Sequence, residues 1–135
     1  MSITLTDQDK ATLRTAAYGA VSLMAAAGAA GSPTKIATTG SITLASATGP
    51  IGHVLADKTK DIKLDAKSAA ALADQTLPAL TAAMSLLKHQ APEEADNFRA
   101  AVILAIDAAA RTHQGPSSPA LAEMTRKITA ALDAA

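Results

Sequence analysis

The residues in this chain whose types and spacing suit ligand chemistry are Gly28, Gly31, Ser32, Pro33 and Lys35. Ser32 has the side chain of a helix N-cap and Pro33 fits the first helical position, so the amides of the next turn face outward with Lys35 beside them. A helix start of this kind attracts anions. Arg14 and His53 are the cations available to complete such a site. The cluster is not a phosphate-binding Walker loop, because Pro33 and Thr34 separate Ser32 from Lys35 where that motif joins Gly, Lys and Ser or Thr directly. Without a ligand, Gly-Ser-Pro is ordinary punctuation between two helices, and we prefer that reading.

His53 and Asp57 stand four residues apart, a spacing at which a carboxylate can orient an imidazole as a general base. No Ser nucleophile or second acid stands at a recognisable distance, however, and a His near a helix C-terminus is favoured by the helix dipole alone. His89 and His113 fall at expected helix ends in the same way. No HxxxH or HExxH pair is present, so no metal site is expected. Tyr18 is the chain's one phenol. A catalytic acid is one use for it, but a ring at the core edge with its hydroxyl at the rim is the preferred one. No nucleophile and base pair emerges, and neither a catalytic role nor a cofactor is expected.

The elements that position these residues are set by an unusual composition. Of 135 residues about a quarter are Ala, with no Cys, no Trp, one Tyr and one Phe. Alanine is the strongest intrinsic helix former, yet each Ala buries little apolar area, so Ala-rich helices must approach closely or bury more surface in an oligomer. Lys plus Arg and Asp plus Glu number 12 each. That balance supplies no field for collecting phosphates, and two aromatic rings supply no stacking platform, so nucleic acid is not an expected partner. The absence of Cys leaves no thiolate chemistry and no disulfide framework. Asp7, Asp9, Lys10 and Arg14 occupy positions where a signal sequence is apolar, and a cytoplasmic location is the expectation. Two uncharged stretches, 15–34 and 36–56, have bilayer-spanning length, but Gly, Ser, Thr and Pro dilute both and no aromatic belt flanks them. Membrane insertion is not expected.

Along the chain, Thr6 and Asp9 have the spacing of a capping box, opening a helix whose buried face is expected to be Leu13, Ala16, Ala17, Ala20, Val21, Leu23, Met24 and Ala27 before the glycines at 28–31 end it. The central run 36–55 places Ile36, Gly40, Thr43, Leu44, Ala47 and Ile51 on one helical face, with Gly40, Gly49 and Gly52 where another backbone can come close. Residues 41–46 also alternate like a strand, but no partner strand is visible elsewhere. A bend or restart is expected near Pro50. The mixed-charge stretch 57–65 reads as a solvated connector with Ile62 and Leu64 as anchors, followed by a helix capped by Asp65 that passes Pro78 with a kink. Pro92 opens the next helix, which runs to about Thr112, buries Phe98, Val102 and Ile106, and is expected at the centre of the core. Gly115 and Pro116 stop it. Ser118 and Pro119 start the last helix, with its stripe of Leu121, Met124, Ile128 and Leu132.

The sequence therefore predicts an all-α fold: one domain over 1–135, a compact bundle of about five helices, two of them kinked at Pro50 and Pro78. The expected function is non-enzymatic self-association as a homodimer, or docking on another protein, through Ile36, Gly40, Thr43, Leu44, Ala47 and Ile51. The alternative is an anion or small-ligand site at Ser32, Lys35, Arg14 and His53.

Overall fold

Thr6 and Asp9 exchange hydrogen bonds at the head of the first helix: the Thr6 amide donates to Asp9 Oδ2 at 3.1 Å and the Asp9 amide to Thr6 Oγ1 at 3.0 Å. This reciprocal cap satisfies donors that a helix start leaves unpaired. The structure, a computed structural model, describes residues 5–27, 33–56, 68–112 and 119–135. The expected terminator at 28–31, the Ser32 cap, the connector at 57–65, His113, the Gly115–Pro116 stop and Ser118 lie outside the described residues.

Six helices make up the described chain: α1 Asp7–Ala27, α2 Pro33–Ala45, α3 Gly49–Ala56, α4 Ala69–Gln90, α5 Pro92–Arg111 and α6 Pro119–Asp133. No strand occurs among the described residues, and 41–46 is the helical end of α2 and its exit turn. The all-α bundle is as expected, with one helix more than the sequence indicated. The extra one arises at Pro50, where the expected kink is a full break. The chain leaves α2 at Ala45, Gly49 takes a left-handed φ of 75°, and a new helix starts. Pro50 brings no amide to continue the old ladder, so restarting is easier than bending. Asn97 Nδ2 pins the break from α5, donating to the Thr48 carbonyl at 3.0 Å.

Pro78 has the opposite outcome, and α4 runs through it uninterrupted. Pro78 supplies no amide to the carbonyl of Asp74 one turn back, and both residues sit at exposed positions of the helix. The cap of α4 is Ser68 and not Asp65: Ser68 is extended, and its Oγ accepts from the Ala71 amide at 3.1 Å. Thr81 then ties α4 to α6, donating to the Ala131 carbonyl at 2.6 Å.

α1 and α5 each pack against all five other helices. The central place expected for α5 is thus shared. α1 earns it by burying residues around most of its circumference, Leu13, Arg14, Ala17, Gly19, Val21 and Met24 among them. Small side chains make this possible, since Ala and Gly let neighbours close in on several sides. α6, by contrast, buries one narrow stripe, Leu121, Ile128 and Leu132.

Candidate functional site

Four of the six residues expected to form an interface, Ile36, Gly40, Leu44 and Ile51, lie inside the chain, while Thr43 and Ala47 reach its surface. Ile36, Leu44 and Ile51 have no exposed surface, and Thr43 and Ala47 are half-buried. Gly40 is buried because α1 comes so near that a Cβ there would stand 2.7 Å from Val21 Cγ1. At Gly52 the close neighbour is backbone, the Ala47 carbonyl of the preceding turn. Both glycines serve packing within one subunit. An uncharged, small-residue helix face is what a core needs as much as what a partner needs, and α1 and α5 take this one.

Three of the four anion-site candidates, Lys35, Arg14 and His53, fall among the described residues. Ser32 lies outside the described residues, Lys35 is exposed on the first turn of α2, and His53 is exposed on α3. Arg14 is 3 % exposed, and its Nε donates to the Val54 carbonyl at 2.8 Å. One turn along α1, the Tyr18 hydroxyl donates to the Leu55 carbonyl at 2.6 Å. These two side chains cap the last turn of α3, whose carbonyls have no intrahelical donors. A cation against a helix C-terminus also meets the negative end of its dipole. Burial raises the Tyr18 pKa above its ordinary 10.0, with Arg14 pulling in the opposite sense. The phenol is therefore a neutral donor, as the rim position expected of it requires. His53 was the cation expected to complement this helix end. Arg14, forty residues away in sequence, supplies a direct hydrogen bond to it.

Among the described residues no group of three or more His, Asp or Glu could hold a metal ion, and no helix is long and apolar enough to cross a membrane. The Thr76 hydroxyl is fully buried without a hydrogen-bond partner. It lines none of the described depressions.

What the sequence reading missed are the exposed residues Ile42 and Leu104, although Thr43 and Ala47, which it named, border the depression beside Leu104. The large apolar side chains exposed among the described residues are Ile42 and Leu104, at 62 % and 61 %. Ile42 lines a shallow depression of about 470 Å³ with Ala37, Thr38, Ser41, Ala45 and Ser46. Leu104 lines another of about 260 Å³ with Thr43, Ser46, Ala47, Asn97 and Ala100. Ser46 borders both, so the two depressions adjoin at the exit of α2. The signal was available in the helical phase. At about 100° per residue, Ile42 points away from Gly40 and Leu44, and Leu104 away from Val102 and Ile106.

α2 and α5 run antiparallel along this face, since Thr48, just past the end of α2, meets Asn97 near the start of α5. The outward stripe of α2 is Lys35, Thr38, Ile42 and Ser46, and that of α5 is Glu93, Asp96, Ala100, Leu104, Asp107 and Arg111. Charge is therefore confined to the two ends, apart from Asp107, which pairs with Arg111 at 2.7 Å. No family model matches this chain, and no curated protein or solved structure is significantly similar to it, so the geometry alone carries the functional reading.

Proposed function

We propose that the protein is a non-enzymatic docking module whose contact surface is the outward α2–α5 face centred on Ile42 and Leu104. One observation carries this reading: the large apolar side chains left in solvent by both helices line depressions that adjoin at Ser46. A lone exposed Leu is unremarkable, whereas neighbouring apolar chains rimmed by charge have the layout of an interface core. The described depressions are shallow and hold no convergent acid, base and nucleophile, which supports contact over catalysis.

Affinity capture with the whole chain as bait tests the reading. Wild type, the double variant Ile42→Glu/Leu104→Glu and the control Ala122→Glu on exposed α6 are compared for the protein they retain. A partner retained by wild type and control but lost by the double variant is the expected result. Equal retention by all three overturns it.

A further inference from the structure

We infer that the occupant of the α2–α5 face is a second copy of this chain, packed antiparallel about Leu104 so that the acidic end of one face meets the basic end of the other. The inference rests on the docking surface proposed above and adds the identity and orientation of the partner. Its warrant is the order of charge along the face. Leu104 lies eight residues after Asp96 and seven before Arg111, near the midpoint between them. Glu93, Glu94 and Asp96 mark one end of α5. Because α2 is antiparallel to α5, Lys35 lies at the other end, with Arg111. At the acidic end the break between α2 and α3 adds Gly49, where a Cβ would stand 3.6 Å from Glu94 Oε1. Among the described residues the face thus has a net negative end and, with Asp107 set against Arg111 and Lys35, a net positive end.

When two identical faces meet about a two-fold axis, the axis lies in the plane of contact, and it can run along the helices or across them. An axis along the helices sets like ends together, with the acidic end of one copy beside the acidic end of the other. An axis across them lays α5 on α5 in reverse. Leu104 then meets Leu104, Asp107 faces Ala100, and Arg111 comes opposite Asp96, twice by symmetry. Lys35 of each copy falls opposite the Gly49 and Glu94 end of the other. Charge decides between the two orientations, as complementary potentials set register more than they set affinity. The Asp107–Arg111 pair does not prevent this, because its side chains are 79 % and 53 % exposed on the Arg and Asp sides and such pairs exchange partners at little cost.

Sedimentation equilibrium of the full chain, from micromolar to millimolar concentration, tests the arrangement, with circular dichroism confirming that each variant folds. Wild type is expected to dimerise reversibly. Leu104→Glu, which sets two carboxylates against each other on the axis, is expected to weaken dimerisation by about tenfold or more. Arg111→Asp should weaken it about threefold to tenfold, and adding Asp96→Arg to the same chain should restore it. A dimer sensitive to Leu104→Glu but not rescued by the reversed charges overturns the antiparallel pairing and leaves the docking surface standing. A dimer indifferent to Leu104→Glu overturns both. A monomer at every concentration overturns self-pairing alone, and the capture experiment then decides whether this face serves a different protein.

Discussion

The two sides of α2 are made from nearly the same residues and meet opposite fates. Inward, Ile36, Gly40 and Leu44 are sealed against α1 and α5. Outward, Thr38, Ile42 and Ser46 stand in water, with Lys35 as the single charge of the helix. Little polarity separates the faces, so the hydrophobic contrast that normally orients a surface helix is weak here. Steric fit selects the inward face: Gly40 is the one position on α2 with no side chain, and Val21 of α1 lies over it. Lack of charge marks a helix as suited to burial on either side, while a missing side chain marks the side that closes first.

Leu44→Ala is the largest way to probe this contrast, with an expected loss of about 2–5 kcal/mol from the core contacts and the cavity left behind. Urea denaturation checks it. Gly40→Val comes next, at about 1–3 kcal/mol, because the added methyls must share space with the stiff Val21 side chain. A variant as stable as wild type would show that α2 can ride outward freely, and the steric account of its orientation would fall. Tyr18→Phe removes one hydrogen bond to the end of α3, for a loss of about 1 kcal/mol. Its pH dependence has a definite sign. The folded-state pKa of Tyr18 is raised, so the wild-type advantage is fully present below pH 10.0 and is lost as pH rises through the folded value. Parallel melts of the two proteins across the alkaline range would show the gap close. Ile42→Ala, two residues before Leu44, should change monomer stability by no more than about 0.5 kcal/mol when measured in dilute solution. A loss comparable to Leu44→Ala would erase the distinction between the faces.

The helices were legible wherever a local rule decides. Thr6 with Asp9, Pro92 at a helix start and the apolar period of α5 and α6 all act within a few residues, and the chain reports them directly. Pro50 and Pro78 were both expected to kink a helix and diverged: a left-handed Gly49 precedes the first, and α4 runs unbroken through the second. Asp65 was expected to cap α4, but the cap is Ser68, three residues later, where the helix starts. The site was less legible. The uncharged run 36–55 identified the right helix, but which of its sides remains in water depends on Val21 and on Leu104, which lie outside the run. The joining of Arg14 to Val54 was out of reach, since it spans forty residues and follows no period.

The encirclement of α1 bears on how this molecule comes apart. Its neighbours are recruited from the whole length of the described chain, as far as Thr125, whose hydroxyl reaches Met24 Sδ at 3.7 Å across 101 residues. A segment enclosed in this way has no private route to unravel, for releasing it means dislodging several others at once. Its amides should therefore surrender deuterium protection only when the whole molecule opens, although helices near a terminus ordinarily fray first. Assembly is constrained in the same measure, because nothing folds to completion around α1 until α6 has arrived.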